Sequence, residues 1–237
     1  MKLEKKVLKA LILCGGKGTR IEPLSKGKPK CLMEVSGKPF IFYILQHLKS
    51  LGVLDVVLCT GYKSEMIELS VKYNYLGMRI SYSRETKPLG TGGAIINAIN
   101  LIENNTFIVL NGDSFCAFDF SQSDLLQEEK SFIYVHELSD VSRFGEVKFN
   151  NSGFVTGFTE KSGIKKMGFI NSGIYILHRS DMERFPKDTQ VSFEKEILHT
   201  LIGKLKVRLC KDGFIDIGTP ESYGEAESFF ASLSTSN

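Results

Sequence analysis

The chain has no CxxC pair, no cluster of histidines and no long apolar run among its 237 residues. Cys14, Cys31, Cys59, Cys116 and Cys210 stand apart, so neither a zinc site nor a redox dithiol is indicated. Three of them follow or sit in strand-like apolar runs, where a reduced thiol packs as a small hydrophobe. That usage reads as a reducing, cytoplasmic setting. His47, His136, His178 and His199 are scattered singly, which fits core or surface roles rather than metal ligation. No segment reaches the length a membrane span needs. A dense basic run is also missing, and a net charge of +3 is too mild to imply a nucleic-acid partner. The opening MKLEKKVLKALILC carries lysines and an apolar stretch, but Lys9 interrupts it and no small-residue cleavage site follows. It predicts a basic leader entering a buried strand rather than a signal peptide.

What is present is an ordinary globular balance, 42% hydrophobic and 24% charged, enough to bury a substantial core. Strand-like and helix-like runs alternate through the first half. KALIL (9–13), VVLCT (56–60), MRISYS (78–83) and TFIVLNGD (106–113) read as strands. Between them, 39–52 has apolar residues at helical spacing, with Pro39 suited to the first turn and Gly52 to the stop. SEMIELSVKY (64–73) reads as a helix capped by Ser64, and TGGAIINAINLI (91–102) as a helix opened by glycines. Strands linked by helices predict an α/β domain with a mostly parallel sheet, whose ligands sit beyond the carboxyl ends of the strands. The second half is richer in strands: 131–138, 146–150, 154–160, 168–177, 206–210 and 214–218, with tight turns at 151–153 and 161–163. SFEKEILHTLI (192–202) reads as an amphipathic helix. Thr219 and Pro220 suit the N-cap and first position of a last helix, before a frayed STSN tail. No repeat, low-complexity segment or linker divides the chain.

Three polar features fall just after predicted strands. LILCGGKGTR (11–20) runs a buried strand into Gly15, Gly16 and Gly18, which suit a sharp turn or a close approach, beside Lys17 and Arg20, which suit an anion. It is neither GxGxxG nor a P-loop, yet its free amides and cations could cradle phosphate. A plain strand-to-helix turn is the competing account. KPKCL (28–32) adds Lys30, a second phosphate cation or a solvated loop lysine. PLGTGGAI (88–95) sets Gly90, Gly92 and Gly93 about a helix start, bare enough to lie against a base. LNGDSF (110–115) ends a buried strand on Asp113, and FIDIG (214–218) places Asp216 on the face opposite Ile215 and Ile217. A carboxylate so placed has lost water and needs a cation or donors; the two together could share magnesium if phosphates are near. Each alone is equally a turn or hydrogen-bonding Asp. Glu160, Lys161 and Asn171 stand at strand ends and could meet sugar hydroxyls and a phosphate.

Taken in order, GGKGTR, KPK, GTGGA, NGD, EK, NSG and DIGTPESY resemble the sugar nucleotidyltransferase family over residues 11 to about 225. The resemblance implies one Rossmann-like, three-layer α/β fold with a mixed central sheet over 1–237. Its nucleotide-binding half would be 1–115 and its sugar-binding half 116–237. It implies that Gly15, Gly16, Gly18, Thr19 and Arg20 wrap a triphosphate, with Lys30 at the end of that loop. Gly90, Thr91, Gly92 and Gly93 would lie beside the base, and Asp113 and Asp216 would hold Mg2+. Gly145 and Glu160 would meet the sugar, Lys161 the sugar phosphate, and Asn171 a sugar hydroxyl. Cys14 stands where alanine is usual, and Phe214 where tryptophan is common. The reaction implied is attack of a sugar 1-phosphate on the α-phosphorus of an NTP, driven by positioning and charge neutralisation. LGTGGAI, FINSGIYIL and SFEKEIL resemble bacterial heptose 1-phosphate guanylyltransferases, which make GDP-heptose for surface polysaccharide. Mannose 1-phosphate guanylyltransferases stand next to them. The end of the chain soon after the last helix fits members without a C-terminal β-helix. The expected partners are GTP, a sugar 1-phosphate and a second copy of the chain. Two other classes differ at the residues. A non-catalytic regulatory relative would lose Arg20, Lys30 or an Asp of the pair, and a glycosyltransferase would want DxD where NGDSF has one acid.

Overall fold

A computed structural model describes residues 9–120 and 131–235. The expected basic leader (1–8) and the last two residues of the STSN tail lie outside them. In chain order the strands are Lys9–Leu13 (β1), Glu34–Val35 (β2), Lys38–Pro39 (β3), Asp55–Thr60 (β4), Asn74–Tyr75 (β5), Met78–Arg84 (β6) and Thr106–Asn111 (β7). They continue with Ser114–Ala117 (β8), Phe132–Leu138 (β9), Glu146–Phe149 (β10), Val155–Thr159 (β11), Gly168–His178 (β12), Lys206–Leu209 (β13) and Asp212–Asp216 (β14). The main sheet runs β11–β10–β12–β7–β1–β4–β6–β5, with β9 joined to β12 and β13 to β9. β1 pairs parallel with β4 and β7, and β4 parallel with β6. β12 then pairs antiparallel with β7, β9 and β10. The sheet is therefore mixed, parallel through the first half and antiparallel where the second half joins.

Apolar side chains cover both faces, as the near-continuous hydrophobic β1, β4 and β7 require. One face carries Ala10, Ile12, Val56, Leu58, Ile108 and Leu110. They pack under Phe40–Ser50 (α2, the short turn Glu22–Ser25 being α1) and Ser64–Val71 (α3), with Ala226 and Phe230 of the helix Pro220–Thr235. The other face carries Leu11, Val57, Phe107 and Val109 under Gly90–Ala98 (α4) and the segment Val191–Leu198. Three layers result.

The elements depart from the sequence expectation at identifiable places. Lys63, in the left-handed region at φ 53, precedes α3; Ser64 is therefore inside the helix, its Oγ donating to Glu65 Oε1. Residues 192–202 do not form one regular α-helix. Ile197 N donates to Ser192 O at 3.3 Å, an i to i+5 bond that makes Phe193–Ile197 a π-turn before the short helix Leu198–Thr200. The stretch 160–167 is an exposed excursion between β11 and β12 rather than a tight turn at 161–163. Asn150 to Gly153 is the tight turn expected, with Gly153 N donating to Asn150 O at 2.9 Å and Gly153 at φ 77. Thr219 caps the last helix, its Oγ1 accepting from Ser222 N at 3.3 Å.

Candidate active site

Because β1, β4, β6 and β7 are parallel, their carboxyl ends meet at one rim. There a cavity of about 820 Å³ opens, lined from the loops after all four strands. The loop after β1 supplies Gly15, Gly16, Lys17, Gly18, Thr19 and Arg20. Its start is stitched to both neighbours: Cys14 N donates to Cys59 O at 2.8 Å, and Gly112 N to Leu13 O at 3.0 Å. Gly18 adopts φ 64, a left-handed conformation that glycine takes without strain, and lies against the Lys30 stem. Arg20 is exposed and makes no ion pair among the described residues.

Lys30 crosses this loop to Asp113, its Nζ 2.5 Å from Oδ2, with only 12% of the lysine side chain accessible. Asp113 sits in the turn between β7 and β8. The β8–β14 pairing sets Asp216 opposite Ser114, and Ile217 N donates to Asp113 O at 2.9 Å. Two acids remote in sequence thus share one corner. Asp216 Oδ1 accepts from Gly218 N at 2.7 Å and Ser222 Oγ at 3.3 Å. A Cβ on Gly218 would stand 2.6 Å from Asp216 Oδ1 and 3.2 Å from Lys30 Nζ, so the bare glycine lets cation and carboxylate approach. Among the described residues no three His, Cys, Asp or Glu side chains group as a ligand set. The corner offers carboxylates and already attracts a cation, the Lys30 ammonium.

At the far end Glu85 follows β6. Its N donates to Thr60 O at 2.8 Å, and its Oε2 accepts from Leu89 N at 3.2 Å. The carboxylate lies beside Gly15 and Gly61, 3.6 Å from where a Cβ on either would stand. Burial pushes its pKa up, against the pull of the Leu89 amide, and it makes no ion pair among the described residues. Thr86, Lys87 and Tyr62 line the same end.

Gly90 and Thr91 line the cavity, whereas Gly92 and Gly93 turn into the packing. Both of the latter donate their N–H to Val191 O, at 2.9 and 3.2 Å. A Cβ on Gly93 would meet Thr189 O at 2.5 Å, and one on Gly92 would meet Ile197 Cδ1 at 2.7 Å. These two glycines let the 189–197 segment close on α4. Thr91 Oγ1 donates to Glu194 Oε2 at 2.7 Å and accepts from Phe193 N at 2.9 Å.

The residues expected on the sugar side stand apart from the phosphate loop. Gly145 precedes β10, where a Cβ would stand 2.7 Å from Thr159 O. Glu160 and Lys161 are exposed after β11. Asn171 uses both ends of its amide internally, Nδ2 donating to Tyr175 Oη at 2.6 Å and Oδ1 accepting from Gly173 N at 3.0 Å. It braces the irregularity of β12 between Asn171 and Tyr175, where Gly173 has φ 75. None of these four lines the cavity. Glu85, Lys87, Asn111 and Glu194 do line it and were not singled out by the motifs. For Glu85 the signal existed: an acid just beyond a strand, as at Asp113.

Known proteins resemble this chain over most of its length. The chain is 41% identical over 218 residues to D-glycero-alpha-D-manno-heptose 1-phosphate guanylyltransferase of Campylobacter jejuni, covering 91% of this chain and 97% of that one. It is 33% identical to mannose-1-phosphate guanylyltransferase of Mycobacterium tuberculosis over 90% of this chain and 62% of that protein. The crystal structure of HddC from Yersinia pseudotuberculosis complexed with GMP-PN superposes with a TM-score of 0.83 at 37% identity, over 94% of this chain and all of that one. A glucose-1-phosphate thymidylyltransferase from Bacillus anthracis, described as putative, shares the fold at 22% identity with a TM-score of 0.82. With the family model described as nucleotidyl transferase matching residues 9–232, the chain belongs to the nucleotidyl transferase family.

Proposed function

We propose that the protein transfers GMP from GTP to D-glycero-α-D-manno-heptose 1-phosphate, giving GDP-heptose and pyrophosphate for surface polysaccharide. The observation that carries the proposal is the rim cavity in which the glycine loop, Lys30 and Asp113 converge. Both reactants are polyanions, so their approach needs positive charge and oriented amides. The N–H groups of Gly15, Gly16 and Gly18, which donate to nothing among the described residues, with Thr19, Lys17 and Arg20, suit a triphosphate. Lys30 suits the phosphate nearest Asp113. An ionised oxygen of the sugar phosphate attacks the α-phosphorus, the bond to the β-phosphate oxygen breaks, and pyrophosphate carries the charge away. No general base is required, because the nucleophile is already deprotonated. Asp113 and Asp216 would hold Mg2+, which supplies charge neutralisation on phosphate oxygens when bound. A two-carboxylate set suits an ion that fills its shell with water and phosphate.

The base reading rests on Glu85. A carboxylate only accepts hydrogen bonds, and guanine is the common base with two adjacent donors, N1–H and N2–H, on its pairing edge. The guanylyltransferases among the relatives support the same nucleotide. The sugar is the less constrained part. Exposed Lys161 and Glu160 would have to move toward the rim to meet it, and mannose 1-phosphate is the second reading, because the M. tuberculosis relative is named for that substrate. A non-catalytic role is disfavoured by the presence of Arg20, Lys30, Asp113 and Asp216 together. The five cysteines are not joined in disulfides, in keeping with a reducing compartment.

The test is pyrophosphate release with four NTPs against heptose, mannose and glucose 1-phosphates, with and without Mg2+. GTP with a manno-configured sugar phosphate and Mg2+ is the expected pair. Asp113→Asn and Asp216→Asn should each lower kcat by about 10²–10³-fold while leaving the sugar phosphate KM within about twofold. Near-normal turnover in Asp113→Asn would remove the metal assignment.

A further inference from the structure

Among the described residues three carboxylates line a cavity suited to polyanions: Asp113, Glu85 and Glu194. Asp113 holds Lys30, and Glu85 is assigned above to the guanine edge. Glu194 has no cation among the described residues. Like charges in one cavity repel, so an unpaired carboxylate there belongs opposite a neutral, donor-bearing part of the ligand. Its placement is built. The π-turn Phe193–Ile197 inserts an extra residue into the backbone and re-aims the side chains it carries. Phe193 N donates to Thr91 Oγ1, which donates in turn to Glu194 Oε2 at 2.7 Å. The Phe193 ring packs edge-on against Tyr175, centroids 4.8 Å apart. One carboxylate oxygen is thereby pinned to the start of α4. The other, Oε1, accepts no hydrogen bond among the described residues. Glu194 also stands close to the buried Tyr175 hydroxyl, whose pKa is pushed up by burial first and by the Glu194 charge second.

Deepening the transfer reading and resting on it, we propose that Glu194 reads ring hydroxyls, its Oε1 accepting from a hydroxyl of the bound substrate. The shared chemistry is a sugar hydroxyl, and the two sources are the ribose of the nucleotide and the ring of the sugar 1-phosphate. A charged acceptor makes the stronger kind of hydrogen bond to such a group.

Glu194→Gln tests it. The amide oxygen keeps the Thr91 bond and turns a donor toward the cavity, so acceptance is lost with little change of shape. Calorimetry with GTP, 2′-deoxy-GTP and 3′-deoxy-GTP reads the ribose arm without requiring turnover. Calorimetry with mannose 1-phosphate and its 2-deoxy analogue reads the sugar arm in the same way. The expected result is a loss of about tenfold or more for the hydroxylated ligand of one arm, with its deoxy counterpart bound equally by both proteins; the arm affected names the source. If Glu194→Gln binds every ligand as the wild type does, or loses hydroxylated and deoxy forms alike, the proposal is overturned. Glu196→Gln is the control. Its exposed carboxylate accepts from Ser192 N at 2.7 Å on the same turn, and it should bind all ligands normally. Should the wild type release no pyrophosphate, the transfer reading fails, while the calorimetric hydroxyl preference still decides on Glu194.

Discussion

Glu85 joins a stability cost to a binding role in one side chain. Burial favours its neutral form, so its folded pKa lies above the unfolded one. The folded state therefore binds the proton more tightly, and this group's contribution to stability is present below the unfolded pKa and lost as pH rises through the folded pKa. Glu85→Gln should accordingly raise the melting temperature of the ligand-free protein at neutral pH. The same change should weaken GTP and abolish the acid-side fall in GTP affinity, which in the wild type sets in above the usual carboxylate range. Melts and GTP titrations across pH 4.5–8 check both halves together. At this scale the sequence was informative where a residue type is restricted. Lys30, Asp113 and Arg20 are legible because they follow strands or glycines, and they do converge or line one cavity. Asn171 looked like a free amide, yet it spends both ends on Gly173 and Tyr175, a use set by an irregularity in β12 that no spacing announces.

Helices and strands with a strong period were legible, and short or partner-dependent ones were not. β1, β4 and β7 fall where their apolar runs predict, because burial on both faces leaves the pattern little choice. β8 is four residues long and exists through its pairing with β14, a contact remote in sequence. The π-turn likewise depends on Thr91 and on the close approach to α4. That approach gives a test of what Gly93 is for. In Gly93→Ala the new Cβ meets the Thr189 backbone oxygen at 2.5 Å, which cannot swing aside. We expect a loss of about 1–3 kcal/mol, seen as a melting point several degrees lower with or without nucleotide. Gly224→Ala, in the helix Pro220–Thr235 where nothing lies within 4 Å of the new atom, should instead stabilise by roughly 0.5–1 kcal/mol. Equal behaviour of the two variants would remove the packing role of Gly93.

For the whole molecule, the parallel half followed from alternating strands and helices, but the antiparallel branch did not. Only long-range pairing decides that β12 joins β7, β9 and β10. A cavity shared by loops from four strands also predicts a global response to ligand. At a concentration of GTP with Mg2+ a hundredfold above Kd, mass action adds about 2.7 kcal/mol, or roughly 5–10 °C in Tm for a chain of this size. A scan with ATP or CTP at the same concentration should give a smaller shift; equal shifts for all nucleotides would count against base selection.

β12 carries a last consequence. This strand of eleven residues bonds to β7 along one edge and to β9 along the other, weaving both parts of the chain into a single fabric. One hydrogen-bonded strand running between the two proposed anchoring regions should hold the gap between incoming molecules nearly constant. Admission of substrates and escape of pyrophosphate then fall to the rim loops, while the plank beneath them stays still.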